Sequence, residues 1–104
     1  MKRILKYTVE PPGGASMISM VKLPQGARVL SAGVQSSSGI VIWALTDTTA
    51  NVRPVNIKVI GTGWPMVEDE LDGYDFLSTV VMPDPDKEQG IFPDGLVWHL
   101  WVQR

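Results

Sequence analysis

Side chains that could perform acid–base, nucleophilic or metal chemistry are few in this sequence. His99 is the single histidine among 104 residues, and the chain contains no cysteine. Thiol catalysis, disulfides and cysteine-based zinc sites are therefore excluded. No serine lies in a nucleophile-elbow motif, and a zinc site would need carboxylates for all its remaining ligands, a poor donor set for zinc. We expect no catalytic residue, no metal, no cofactor and no enzymatic activity.

An acidic loop near the end of the sequence carries alternating carboxylates. Asp84, Asp86 and Glu88 alternate with other residues, as at the start of a calcium-binding loop. An EF-hand loop needs glycine at its sixth position and glutamate at its twelfth, where this chain has Gln89 and Gly95. The spacing therefore favours a solvated acidic loop over an EF-hand.

A second candidate site begins at Gly61, Thr62 and Gly63, directly after an apolar run. A dinucleotide-binding fingerprint would need a third glycine and a following helix, but Trp64 and Pro65 come next. Two readings stay open. The glycines form a tight turn that requires a positive φ, or their backbone amides line a small anion pocket. The candidate ligand-binding residues are Gly61, Thr62, Gly63, Trp64 and Arg53.

Four tryptophans are many for a chain of this length. Trp43 and Trp101 each lie in a run that is apolar at nearly every position, so both faces of those strands are apolar. Tryptophan is enriched at protein interfaces, and one small domain can bury only one core. We expect Trp43, Trp101 and His99 to form a partner interface and the protein to be a homo-oligomer.

Turn segments rich in glycine, proline, aspartate and serine separate short β-branched runs, which is typical of an all-β sandwich or barrel. The sequence predicts a single β domain over residues 1–104 with about seven short antiparallel strands. These are Ile4–Val9, Met17–Leu23, Arg28–Gln35, Ile40–Leu45, Val55–Ile60, Tyr74–Met82 and Leu96–Val102.

The alternation of apolar and polar residues also predicts strand faces. We expect Leu30, Ala32 and Val34 to share one face of the third strand. In the sixth strand we expect one face to carry Tyr74, Phe76, Val80 and Met82. In the seventh strand we expect both faces to be apolar, one with Leu96, Trp98, Leu100 and Val102 and the other with Val97, His99 and Trp101.

Between the strands, Pro65, the acids that follow it and Gly73 predict at most one short helical turn. Two connections exceed what a hairpin needs, Thr46–Pro54 and Pro83–Gly95. No apolar run approaches the roughly 18 residues of a membrane span, so we expect no membrane insertion.

The formal net charge of −2 hides an asymmetry along the chain. Residues 1–60 carry seven Lys and Arg against two acids, and residues 61–104 carry two Lys and Arg against nine acids. Such a division favours head-to-tail assembly or the attraction of one charged partner. A pI near 5.2 argues against a surface that follows nucleic-acid phosphates.

Several short motifs occur in an order that resembles a family of small uncharacterised proteins encoded by tailed phages and prophages. The motifs are Leu23-Pro24-Gln25-Gly26-Ala27-Arg28-Val29-Leu30-Ser31, Val34-Gln35, Ile42-Trp43-Ala44-Leu45, Ile60-Gly61-Thr62-Gly63-Trp64-Pro65 and Leu96-Val97-Trp98-His99-Leu100. The resemblance runs from about Ile4 to Val102, and the Pro83–Gly95 loop and a Pro11–Ala15 insertion depart from it. It implies viral origin and residence in the cytoplasm of the infected bacterial host, with no catalytic residues to transfer.

The resulting hypothesis is a non-catalytic phage accessory protein that counters host defence or helps to take over the host. It binds a host protein or sequesters a small anionic, nucleotide-like molecule. The alternative is a structural component of the virion or of its assembly.

Overall fold

The computed structural model describes residues 1–10, 18–35, 39–82 and 96–104. Seven strands run through them: β1 Lys2–Thr8, β2 Ile18–Pro24, β3 Arg28–Gln35, β4 Gly39–Asp47, β5 Val52–Gly61, β6 Tyr74–Met82 and β7 Leu96–Gln103. The predicted all-β class and strand count are confirmed. Within the described ranges there is no helix, and the stretch predicted to hold at most one helical turn forms hydrogen-bonded turns instead.

The strands form two antiparallel sheets. Sheet A has three strands in the order β1-β4-β3, and sheet B has four in the order β2-β5-β7-β6. Of the two predicted architectures, the sandwich is the one observed. No helix in the described part of the chain is long and apolar enough to cross a membrane.

The core lies between the two sheets. Ile40 and Ile42 of sheet A pack in one cluster with Val55, Ile57 and Leu100 of sheet B. Each of these side chains is fully buried or nearly so, and burying one stabilises the fold by roughly 1.5–3 kcal/mol. The alternating pattern places every second residue of β4, β5 and β7 in this core, so the residues between them lie on the outer faces.

Two β-bulges correct the predicted strand faces. In β3 the pairing register shifts between Val29 and Ser31, so Val29 packs against the core and Leu30 is exposed. In β6 the register shifts between Phe76 and Ser78, which separates Phe76 from Val80. Tyr74 and Phe76 therefore lie on the outer face, while Val80 and Met82 face the core. A bulge adds one residue and reverses the alternation beyond it.

The predicted Thr46–Pro54 loop is shorter than expected, because β4 ends at Asp47 and β5 begins at Val52, so only residues 48–51 connect sheet A to sheet B. The fifth strand was predicted to begin only after Pro54, whereas β5 begins at Val52. At Pro54, β5 pairs only with β2, because its pairing with β7 begins at Ile57. The other side of the strand is an edge there, and proline is tolerated in an edge strand.

The Asp47 carboxylate stabilises the turn that follows β4. Its Oδ1 accepts hydrogen bonds from the Thr49 hydroxyl at 2.7 Å and the Thr49 amide at 3.0 Å, and it pairs with the N-terminal ammonium at 3.3 Å. These contacts, the Thr49 hydroxyl first, lower the pKa of Asp47 to about 2.

Candidate partner-binding surface

Three cross-strand pairs line the outer face of sheet B where β6 meets β7. They are Phe76–Trp101, Thr79–His99 and Val81–Val97, and we call them the β6–β7 face. The side chains of Phe76 and Val81 are 54% and 55% exposed. The Phe76 and Trp101 rings meet edge to face, with centroids 5.0 Å apart and planes at 67°. The face thus has aromatic and aliphatic ends on either side of a polar centre.

His99 holds the centre of this face in a fixed orientation. Its Nε2 lies 2.8 Å from Thr62 Oγ1 and its Nδ1 lies 2.9 Å from Thr79 Oγ1. In a neutral imidazole one nitrogen donates to its threonine and the other accepts a hydroxyl proton. Both nitrogens are therefore occupied, so the geometry favours a positioning role for His99 over a metal-binding or catalytic one.

The β5 side of the same sheet face is covered by the chain itself. Lys58 is 8% exposed although it lies on the outer face, and its Nζ donates to the backbone oxygen of Glu70 and pairs with Glu70 Oε2 at 3.3 Å. The ammonium also stands 4.7 Å from the centre of the Tyr74 ring. Residues 62–73, which we call the covering segment, are anchored to sheet B by this pair and by Thr62.

The Gly61–Trp64 turn is closed upon itself. The Trp64 amide donates to the Gly61 carbonyl at 3.1 Å, and the Thr62 amide donates to the Val97 carbonyl at 3.3 Å. The Trp64 indole lies over Gly61, where a Cβ would stand 2.6 Å from Trp64 Nε1, and Gly63 has a φ of 84°. These contacts are those of the tight-turn reading, and they leave the Thr62 and Trp64 amides committed within the protein.

Trp64 in turn packs edge-on against Trp98, with ring centroids 5.4 Å apart. Trp98 is 9% exposed and belongs to the core, on the face opposite to that of Trp101. Its buried Nε1 finds no hydrogen-bond acceptor within the described ranges. The Trp64–Trp98 contact therefore joins the turn to the core at this end of sheet B.

Comparison with known proteins gives a family but no function. A family model described as a domain of unknown function, DUF7352, matches residues 1–104. The chain belongs to this family. Neither the search of curated proteins nor the search of solved structures found a match. A proposal about function therefore depends on the residues of the sandwich alone.

The predicted partner-interface residues are divided between two faces. His99 and Trp101 are neighbours on the β6–β7 face, whereas Trp43 lies on the outer face of sheet A, on the other side of the sandwich. The Trp43 ring lies over Gly33, where a Cβ would stand 3.1 Å from the ring. Lys6 Nζ donates to Gln35 Oε1 at 2.7 Å beside it. Trp43 therefore completes the packing of its own sheet.

The predicted ligand-binding residues are also divided. Gly61, Thr62, Gly63 and Trp64 stand at the end of β5, and Arg53 lies near its beginning. Eight residues of extended strand separate Arg53 from Gly61 by about 26 Å. The structure therefore does not bring Arg53 to the turn.

Arg53 instead borders a cavity of about 220 Å³ between the sheets at the opposite end of the sandwich. Asp75 and Gln103 also border it. Its apolar lining comes from both sheets and from the β2–β3 turn, and includes Leu23, Ala27, Val29, Val55, Leu77 and Val102. Neither this cavity nor the exposure of Phe76 was predictable from the sequence. Both depend on the β6 bulge, and nothing in the residue pattern marks that bulge.

The charge asymmetry of the sequence becomes a separation in space. Lys2, Lys6 and Arg28 lie on the outer face of sheet A. Glu68, Asp69 and Asp72 are exposed on the covering segment beside sheet B. No group of three His, Asp or Glu side chains within the described ranges could hold a metal ion. The predicted acidic loop with Asp84, Asp86 and Glu88 lies outside those ranges.

Proposed function

We propose that this chain is a non-catalytic binding protein whose β6–β7 face binds a protein partner. The observation that carries the proposal is the pair of exposed apolar ends on that face. Phe76 and Val81 are each more than half exposed, and Trp101 stands against Phe76. Exposed aromatic and aliphatic groups that lie together are characteristic of protein-binding surfaces, where tryptophan and tyrosine supply much of the binding energy.

The rigidity of the face supports the same function. Thr62 and Thr79 fix both nitrogens of His99, and the Lys58–Glu70 pair fixes the covering segment next to it. A preorganised surface loses little conformational entropy when a partner binds. The covering segment beside the face carries exposed acids, so the partner we propose has apolar groups that meet the two ends of the face and basic side chains at its edge.

A protein partner fits this geometry better than a small nucleotide-like anion. The Thr62 and Trp64 amides of the glycine turn already donate within the chain, and Arg53 lies at the far end of β5. With the resemblance to small phage and prophage proteins, we propose that the partner is a protein of the infected bacterium. The place of action is then the host cytoplasm.

The test compares two exposed apolar residues in edge strands of opposite sheets. Phe76→Glu places a charge on the β6–β7 face, and Ile4→Glu places one on the outer face of sheet A, where Ile4 is 60% exposed. Tagged wild type and both variants are used for affinity purification from host lysate with quantitative mass spectrometry. We expect wild type and Ile4→Glu to recover the same host protein. We expect Phe76→Glu to recover at least tenfold less of it.

An identical set of recovered proteins for all three chains would contradict the proposed face. Circular dichroism and urea unfolding establish that both variants are folded before the comparison. Light scattering of the wild type shows whether the partner on this face is a second copy, in which case Phe76→Glu reduces the native mass and Ile4→Glu does not.

The alternative function is a structural role in the virion or its assembly. The spatial separation of basic and acidic groups favours it, since the basic outer face of sheet A and the acidic covering segment of a second copy are complementary in charge. Mass spectrometry of purified virions decides between the two. Presence at a fixed copy number supports the structural role, and absence supports the accessory role.

A further inference from the structure

The cavity at the Arg53 end of the sandwich has a built apolar interior and shares one lining residue, Phe76, with the β6–β7 face. Leu23 is fully buried and Val55 is 8% exposed, and both belong to the core cluster. Val29, Leu77 and Val102 pack against the same cluster from the remaining sides. The cavity is therefore a gap in the core that opens at the end of the sandwich.

The two β-bulges shape this gap. Val29 stands at the register shift of β3, and Leu77 is the extra residue at the shift of β6. Both line the cavity, and β3 and β6 face each other across the sandwich. A bulge bends its strand and redirects its side chains, and bulges are frequent next to binding sites. Here two of them border the same opening.

Arg53 gives the opening a cation without a fixed partner. It lies on the inward-pointing positions of β5, in step with Val55 and Ile57, and its guanidinium forms no ion pair or hydrogen bond within the described ranges. Asp75 also borders the opening, but its Oδ1 accepts a hydrogen bond from Arg104 Nε at 2.8 Å. The guanidinium is thus the group available to a ligand at the rim.

From this arrangement we infer that the cavity binds a small carboxylate with an apolar tail. The tail occupies the space among Val29, Val55 and Leu77, and the carboxylate receives hydrogen bonds from Arg53. A planar guanidinium matches a carboxylate with two parallel hydrogen bonds. Ligand pockets for drug-sized molecules occupy roughly 300–1,000 Å³, so a cavity of about 220 Å³ is of a size for a short-chain acid.

The test uses hexanoate and its uncharged counterpart 1-hexanol as probes in a nitrogen–proton NMR titration of the full chain. We expect hexanoate to shift the amide signals of Val29, Val55, Leu77 and Val102 in a saturable manner. We expect 1-hexanol to bind about tenfold more weakly, because a hydrogen bond to a charged group is worth one to two factors of ten in affinity.

Two matched arginine variants identify the charged contact. Arg53→Gln removes the cation at the rim, and Arg28→Gln removes an exposed cation from the outer face of sheet A. We expect Arg53→Gln to weaken hexanoate binding about tenfold and to leave 1-hexanol binding unchanged, while Arg28→Gln alters neither. Ala27→Leu, which fills the cavity, is expected to abolish the binding of both probes.

Two results would overturn the inference. Hexanoate that causes no saturable shifts, or shifts confined to residues outside the cavity, removes the site. Equal binding of hexanoate and 1-hexanol, unchanged in Arg53→Gln, removes the carboxylate class. Arg53→Gln and Arg28→Gln leave Trp101 unchanged, and also Phe76, the residue that the cavity shares with the β6–β7 face, so neither result decides whether that face binds a partner.

Discussion

The outer faces of the two sheets both carry tryptophan, but they use it differently. On sheet A the Trp43 ring packs against Gly33 of the neighbouring strand. On sheet B, Trp101 stands edge-on to Phe76, and the Phe76 ring is more than half exposed. The covering segment closes the β5 side of sheet B through Lys58 and Glu70 and leaves the β6–β7 side open.

This difference shows that an apolar residue on an outer face is a candidate contact only after its local cover is known. Trp43 and Trp101 are indistinguishable as members of apolar strands. What separates them is the residue on the neighbouring strand that each ring contacts. The Trp43 ring contacts Gly33, and the Trp101 ring contacts the exposed Phe76. The predictions below test that separation.

The largest effect is expected from loss of the ion pair that holds the covering segment. Lys58 and Glu70 side chains are 10% and 22% exposed, and breaking a buried pair leaves one charge without its partner. Lys58→Ala should lower the free energy of unfolding by about 3 kcal/mol and speed hydrogen exchange in residues 62–73. Urea unfolding measures the first quantity and mass spectrometry the second.

The Arg104–Asp75 pair is the matched control for Lys58. Its side chains are 65% and 69% exposed, so Arg104→Ala should cost less than about 1 kcal/mol. Equal losses for Lys58→Ala and Arg104→Ala would show that the covering segment is not held by its ion pair.

The second effect contrasts the two outer faces directly. Trp43→Ala removes a half-buried ring that packs on its own sheet, and it should cost about 2–3 kcal/mol, below the value for a fully buried tryptophan. Phe76→Ala removes a ring that is 54% exposed and should cost less than about 1 kcal/mol. Urea unfolding of both variants is the measurement, and a larger loss for Phe76→Ala would reverse our assignment of the covered and open faces.

The third effect tests the contact between Trp43 and Gly33. A Cβ at Gly33 would stand 3.1 and 3.2 Å from two Trp43 ring carbons, so Gly33→Ala should cost about 1 kcal/mol. In a Trp43→Ala background the same substitution should be neutral or stabilising, because alanine restricts the unfolded chain more than glycine does. A double-mutant cycle that shows no coupling would refute the contact.

The smallest effect concerns the pH dependence of the turn that connects β4 to β5. The pKa of Asp47 is about 2 in the folded chain, whereas the ordinary value for an aspartate is 3.8. Its depressed pKa stabilises the fold above the ordinary value, and this contribution is lost as the pH falls through about 2. The stability advantage of wild type over Asp47→Asn should therefore shrink between about pH 4 and about pH 2, as followed by thermal unfolding.

Thr49→Val provides the control for Asp47. It removes the hydroxyl that contributes most to the lowered pKa, so the pKa of Asp47 should rise toward its ordinary value. An unchanged pH dependence in Thr49→Val would assign the effect to other contacts of the carboxylate.

Much of the fold was predictable, because alternation and turn residues report directly on strands. The bounds of β3 and β6 follow from the residue pattern alone, and the apolar faces of β7 are as predicted, with Trp98 inside and Trp101 outside. The candidate site was only partly predictable. His99 and Trp101 do share a face, but Trp43 and Arg53 lie elsewhere.

The sequence by itself determined the strands, because their signals are local: β-branched residues in alternation, glycine and proline in turns, and no thiol or histidine cluster for chemistry. Tertiary structure decided which face each aromatic residue occupies and which groups meet. A single extra residue at the β6 bulge turned Phe76 outward, and the pairing of β5 with β7 placed Thr62 beside His99. Those outcomes depend on strands distant in sequence, so no short-range pattern records them.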